Sequence, residues 1–299
     1  AFAVDKLDPT LLYMIPFSLS ALYLLAFFRR RVVLPVYVVS LMPLLIFAHN
    51  GVELFLLNLV AGVVTMFVFP FFSKGWRQFV AAMLVFVCLL LTFIGFRLIN
   101  SGNAFDDLWL MLYLFFGAML SVAGYPLIYL MEKIFSLVSG TRLQELCDPN
   151  NKLLRILAQK APGTFQHSLQ VMNLADAAAR SIDADVLLVR AGAMYHDIGK
   201  TANPQCFVEN ESLGAKFHDG LTPKESAEMI IRHVSDGLAL AAKYKLPQVV
   251  SDFILTHHGT TCTAFFYNKF IEEGGNPAEA DAFYYKGKKP WTKEQALIM

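Results

Sequence analysis

Cysteine is scarce and never paired in spacing: Cys88, Cys147, Cys206 and Cys262 are the only four in 299 residues, and no two form a CxxC. That excludes a disulfide framework and a cysteine zinc site, and it suits a reducing compartment for the polar part of the chain. An excess of one charge is lacking too. Lys and Arg number 25 against 24 Asp and Glu, and Arg29-Arg30-Arg31 is the one basic run. A nucleic-acid polymer bound through a general basic surface is therefore excluded as a partner. Internal repeats and low-complexity tracts are missing, as is any alternating β-branched run long enough to propose a sheet. No positive region precedes the first apolar run, where Asp5 and Asp8 stand instead, so a secretory signal peptide is not expected.

What is abundant is apolar sequence, 56% of residues, against about 45–50% in ordinary soluble domains. The excess is concentrated before residue 139. A spanning helix needs about 20 mostly apolar residues, and five stretches qualify: 10–28, 32–49, 52–72, 78–99 and 108–138. The last is long enough to leave the bilayer as a helix. Arg29, Arg30 and Arg31 follow the first run, and Lys74 and Arg77 the third. Asp5 and Asp8 precede the first, Glu53 follows the second, and Asp106 and Asp107 follow the fourth. Because positive residues collect on the cytoplasmic side, this pattern predicts an outside N-terminus and residues from 140 onward inside. Span count and charge agree. Inside the spans Asn58, Thr65 and Thr92 are the few polar residues, with Arg97 near an outer end. No charge cluster marks an ion path, so transport is not expected.

The boundary is expected near Ser139-Gly140, dividing a transmembrane domain (1–140) from a soluble domain (141–299) that opens with a charged connector over 141–160. In the soluble part the pattern predicts helices over 162–182, over 185–199 ending at Gly199, from Thr222 to about Lys243, and over 247–258. Thr222-Pro223-Lys224-Glu225 carries a cap, a first-turn proline and a third-position glutamate. Asn276-Pro277 and Thr292 with Gln295 mark two further starts. The fold class is all-α: a multi-span transmembrane helical bundle followed by a soluble all-helical domain.

Of the seven histidines, His49 falls at a membrane edge and His218 in a polar loop. The other five, His167, His196, His233, His257 and His258, fall on predicted helices or their ends, and Asp197 adjoins His196. A lone helical histidine is usually a satisfied surface or core residue; five on successive helices of one small domain are harder to explain that way. Imidazole with carboxylate suits divalent iron, manganese, cobalt or zinc. Adjacent helical residues point about 100° apart, so His196 can reach one ion while Asp197 bridges two; His257 and His258 can meet one ion where a helix loosens. A two-metal centre clamps a phosphate across an in-line displacement. A turn at Gly199 would bring Lys200 over such a site to hold a phosphate oxygen. As a helix C-terminal lysine it would instead balance the dipole, and spacing does not separate the two. Phe165, Tyr195, Phe265 and Tyr267 are candidates for stacking on a base, or for core.

These residues resemble the HD phosphohydrolases, and more narrowly the membrane-anchored seven-transmembrane HD family of PgpH-type cyclic di-AMP phosphodiesterases. The matching stretches are Pro162-Gly163-Thr164-Phe165-Gln166-His167-Ser168, Tyr195-His196-Asp197-Ile198-Gly199-Lys200-Thr201 and Phe207-Val208-Glu209-Asn210. His233-Val234-Ser235-Asp236-Gly237 and His257-His258-Gly259-Thr260-Thr261 continue the series in order. The resemblance implies a cytoplasmic HD domain on a bacterial inner membrane that uses two divalent ions, iron or manganese, to open the cyclic dinucleotide to linear pApA. It assigns His167, His196 and Asp197 to one ion, and Asp197, His233, His257 and His258 to the other. Asp197 and Lys200 become the catalytic pair, Lys200 facing the phosphate. The family has an extracellular sensory domain and seven spans, so this sequence reads as a fragment beginning after that domain and two spans. A further family aspartate is expected within about one turn beyond Met299. Homo-oligomers are compatible with the sequence. The competing expectations are an HD hydrolase of another nucleotide and a non-catalytic nucleotide-binding receptor.

Overall fold

The computed structural model describes residue 6 and residues 8–72, 76–210 and 217–299, without the side chains of 30 and 70–72. Asp5 and Lys74, used above for orientation, lie outside the described residues. The chain divides into two compact units, Ala1–Thr141 and Arg142–Met299.

In the first unit a short 3-10 turn, Pro9–Tyr13, precedes α1 (Ser18–Phe27), α2 (Arg30–Phe47), α3 (Gly51–Phe72), α4 (Arg77–Ser101), α5 (Leu108–Gly124) and α6 (Leu127–Phe135). Unbroken apolar sequence leaves the backbone no partner but itself, and helices satisfy it internally. Among the described residues three stretches are long and apolar enough to cross a membrane: Pro9–Phe27, Gly51–Phe69 and Arg77–Ser101. The run expected as one helix over 108–138 is two, Leu108–Gly124 and Leu127–Phe135, bent by 47°. Pro126 stands at that break, where its missing N–H interrupts the ladder. Arg31–Phe47 is a shorter apolar helix. Leu12, Leu22, Tyr37, Leu54, Leu57 and Phe93 pack inside the bundle, while Ile46, Phe67, Leu91 and Ile99 are mostly exposed. Large apolar side chains on the outside of a bundle are what a lipid phase would cover. Arg97 is held between two acids, Nη2 lying 3.0 Å from Glu53 and Nη1 3.3 Å from Asp107.

The second unit begins with α7 (Gly140–Leu146), which carries the boundary, and α8 (Lys152–Lys160). The charged connector expected over 141–160 is thus folded: Leu143, Leu146, Leu153, Leu154 and Leu157 are buried. Sequence reading saw the charges and missed the apolar stripe between them. Next come α9 (Pro162–Ser181) and α10 (Val186–Tyr195), the latter capped by the Asp185 carboxylate, which accepts from Leu188 N–H. α10 stops short of Gly199. The chain runs on as a 3-10 turn, Ile198–Thr201, and Gly199 is not the left-handed terminator expected of it. What requires glycine there is space, because a Cβ would come within 1.8 Å of the His233 carbonyl oxygen.

Thr222 forms the full capping box with Glu225, and Pro223 opens α11 (Pro223–Ile231). The helix expected to reach Lys243 is broken. Arg232 N–H is shared between the Glu228 and Ile230 carbonyls, and α12 (His233–Lys243) starts afresh. α13 (Gln248–Thr256), α14 (Ala264–Glu272), a 3-10 stretch Pro277–Phe283 begun by Asn276, and α15 (Lys293–Ala296) capped by Thr292 complete the unit. Among the described residues there is no strand, only one bridge between Cys262 and Tyr284.

The capping box satisfies two otherwise orphan backbone donors at a helix start. Thr222→Ala is expected to lower the stability of the second unit by about 1 kcal/mol, read as a lower melting temperature of the purified chain with divalent-ion uptake unchanged.

Candidate metal centre

Four helix ends converge. α9 brings His167 one turn after its start, the C-terminus of α10 is followed by His196 and Asp197, α12 begins at His233, and His257 and His258 follow α13. All five histidines singled out by the sequence gather around Asp197, which is 2% exposed. Its two oxygens face different ways. Oδ2 lies 3.1 Å from His196 Nε2 and 3.9 Å from His167 Nε2. Oδ1 lies 3.4 Å from both His233 Nε2 and His257 Nε2. The ligand atoms of His167, His196 and Asp197 fall within 4.8 Å of one another, as do those of Asp197, His233, His257 and His258. His49 lies in the other unit, and His218 turns away, its Nε2 2.9 Å from the Cys206 carbonyl.

Backbone carbonyls set the tautomers. His196 Nδ1 sits 2.7 Å from Ala193 O, His233 Nδ1 2.6 Å from Ile230 O, and His257 Nδ1 3.0 Å from Ile254 O. A carbonyl only accepts, so each Nδ1 carries a proton, and in the neutral form of each ring the Nε2 lone pair faces the centre. This arrangement opposes itself in the absence of a cation. His233 Nε2 and His257 Nε2 face each other at 3.1 Å, and Asp197 Oδ1 is buried with no hydrogen-bond donor among the described residues. Converging lone pairs, one buried carboxylate and outer-shell bonds that orient the rings are the donor set of a divalent-metal site. The residues fit the group.

Protonation fits as well. Burial pushes His233 down to about 4 against the opposing pull of Asp197, and burial with the neighbouring His257 and His233 pushes His258 down to about 2. Burial and then His196 lower His167. Burial also works against charge on Asp197, but His196 and Lys200 outweigh it and hold the carboxyl well below its usual range. The same carboxylate outweighs burial at His196 and raises it. An ionised Asp197 beside mostly neutral imidazoles is the state that binds metal.

Lys200 does come back over the site, though by the 3-10 turn and not by a glycine terminator. Its Nζ lies 2.9 Å from Asp197 Oδ2 and 2.8 Å from Glu209 Oε1, and 4.7 Å above the Phe207 ring. Of the aromatic candidates, Tyr195 is core: it is fully buried and its hydroxyl donates to the Leu146 carbonyl. Tyr267 packs on Phe283, and Phe265 is mostly exposed. Sequence reasoning missed Tyr285, whose ring stacks on His258 at 4.1 Å. No motif flags it, since it reaches the site along an irregular segment. Glu209 was quoted within a motif but given no role.

Two family models match the chain: one described as a 7TM receptor with intracellular HD hydrolase over residues 1–139, and one described as an HD domain over 164–295. The curated cyclic-di-AMP phosphodiesterase PgpH of Listeria monocytogenes serotype 1/2a (strain 10403S) is 39% identical over 254 residues, 84% of this chain and 35% of that protein. Its counterpart of the same name in Bacillus subtilis (strain 168) is 44% identical over 167 residues, 56% of this chain and 23% of that protein. A crystal structure of the L. monocytogenes PgpH HD domain in complex with cyclic-di-AMP is 46% identical, covering 50% of this chain and 70% of that one, with a TM-score of 0.48. The chain spans about a third or less of the length of these curated relatives.

Because Asp197 belongs to both ligand groups and His167 to one, removing them should not be equivalent. Asp197→Ala is expected to weaken total Mn2+ binding by more than about 100-fold, exceeding the loss usual for outer-shell changes. His167→Ala should spare binding at the group that His233, His257 and His258 form with Asp197. Calorimetric titration of the apo-protein with Mn2+ would read the difference; equal losses in the two variants would contradict a shared carboxylate.

Proposed function

The chain belongs to the 7TM receptors with an intracellular HD hydrolase domain, and from that premise we propose that it is a metal-dependent phosphodiesterase opening cyclic di-AMP to linear pApA. The observation that carries this reading is the buried Asp197 carboxylate, each of whose oxygens faces its own set of imidazoles. The cyclic-di-AMP phosphodiesterases it resembles support the substrate.

On this reading His167, His196 and Asp197 hold one ion, and Asp197, His233, His257 and His258 the other, iron or manganese in each case. Bound divalent ions supply Lewis-acid polarisation of the phosphoryl group and lower the pKa of water toward neutrality. The chain's own residues do the rest. The carbonyls of Ala193, Ile230 and Ile254 keep three Nε2 atoms aimed inward. Lys200 offers an ammonium to a non-bridging phosphate oxygen, and its closeness to Asp197 favours that role over balancing a helix dipole. In the reaction a water oxygen bonds to phosphorus and the P–O3′ bond breaks. One proton passes overall from water to the departing 3′ oxygen, and a 5′-phosphate remains.

We place this domain on the cytoplasmic face of a bacterial inner membrane. The basic residues Arg29, Arg30, Arg31 and Arg77 support that orientation, and the exposed apolar side chains of the first unit support contact with lipid.

The test is hydrolysis of cyclic di-AMP by the full-length protein in Mn2+, with the product identified by chromatography. pApA formation that stops with chelator is expected, and Asp197→Asn should lower kcat/KM by more than about 100-fold. Cleavage of guanosine tetraphosphate or deoxynucleoside triphosphates in place of cyclic di-AMP would replace the substrate. Binding of nucleotide with no turnover of any would make the protein a receptor.

A further inference from the structure

The segment Phe207-Val208-Glu209-Asn210 has no part in the ligand set, yet the side chains of Phe207 and Glu209 contact Lys200 or His233, and those of Glu209 and Asn210 both bond Thr164. Phe207 lies beneath the Lys200 ammonium and edge-on to His233, with ring centroids 5.6 Å apart. Glu209 Oε1 accepts from Lys200 Nζ at 2.8 Å and from Thr164 Oγ1 at 3.0 Å. Asn210 Oδ1 accepts from Thr164 N–H at 3.1 Å, and its amide donates back to Thr164 Oγ1 at 2.7 Å. Thr164 is fully buried. Beside it a Cβ on Gly163 would come within 1.7 Å of the Glu209 carbonyl oxygen, so this segment is fastened directly onto the first turn of α9. His167 stands three residues after Thr164, on the same face of that helix.

The two carboxylates that neutralise Lys200 differ in what else they do. The Lys200 side chain is 12% exposed, and a largely buried ammonium needs a counter-charge. Asp197 Oδ2 also faces His196 and His167, so it is committed to the metal centre. Glu209 faces no imidazole of the centre within ion-pairing distance among the described residues; its partners are Lys200 and Thr164.

We infer that Glu209 is a positioning residue that holds the Lys200 ammonium over the phosphate site, itself anchored by Thr164 and Asn210 to the turn of α9 that carries His167. The inference rests on the phosphodiesterase reading for its phosphate, but the contact it names is independent of substrate. Glu209 shares the ammonium with Asp197 Oδ2, which the ammonium also contacts at 2.9 Å, so the lysine is not neutralised by the metal-facing carboxylate alone. It also ties the register of the phosphate grip to that of His167.

The experiment compares wild type, Glu209→Gln, Lys200→Met and the double variant in the full-length protein loaded with Mn2+. Glu209→Gln is expected to raise KM for cyclic di-AMP about tenfold, the weight of one charge-assisted hydrogen bond, with kcat within about threefold. Added to Lys200→Met, the same change should cost nothing further, because the two residues act as one unit. A second measurement needs no turnover: the labelling rate of Lys200 by an amine-reactive ester, read by peptide mass spectrometry. It should rise several-fold in Glu209→Gln and in Thr164→Val, with circular dichroism unchanged. Lys200 labelling equal to wild type in both variants, or additive losses in the double variant, would overturn the positioning role. Absence of cyclic di-AMP cleavage by the wild type would overturn the phosphodiesterase reading alone, and the labelling comparison would still decide on Glu209.

Discussion

A single buried carboxylate organises the second unit. Taking an aspartate out of water is costly unless charge and hydrogen bonds replace the solvent, and Asp197 is only 2% exposed. One of its oxygens is answered by Lys200 and His196, while the other has imidazole nitrogens near it and no donor among the described residues. A protein that buries such an oxygen among lone pairs has spent stability on holding something positive. The neighbouring elements are arranged around that requirement, from the carbonyl-locked rings to the glycine that admits the 3-10 turn.

Helix ends, rather than helix faces, bring the ligands in. A histidine in mid-helix can use its ring freely, but the carbonyls around it are occupied by the ladder. In the last turn the carbonyls are unpaired, and His196 and His257 each sit at such an end with Nδ1 on a carbonyl three residues back. His233 obtains the same geometry at the break at Arg232, its Nδ1 donating to the Ile230 carbonyl that Arg232 N–H also reaches. The break is therefore part of the site.

The first unit answers to a different solvent. Its helices carry large apolar side chains outward as well as inward, and the charge network of Arg97 with Glu53 and Asp107 lies at helix ends. Charge is confined to where polar partners can be found.

Much of this was legible in the chain itself. Hydropathy alone separated the two units, because a spanning helix must be apolar over its whole length. The starts at Thr222, Asn276 and Thr292 were readable because a cap is a local interaction among residues two or three apart, and the start at Pro162 because proline suits the first helical position. The identity of the five histidines and of Asp197 was readable as well, since donor type and order along the chain survive without coordinates. Tertiary structure decided the rest, where the controlling partner is distant in sequence. Gly199 is glycine because of His233, 141–160 is folded because its leucines find the core, and Tyr195 is buried by Leu146. The partnership of Glu209 with Lys200 and Thr164 spans 9 and 45 residues. No periodicity or local propensity records a contact made only when four helix ends meet.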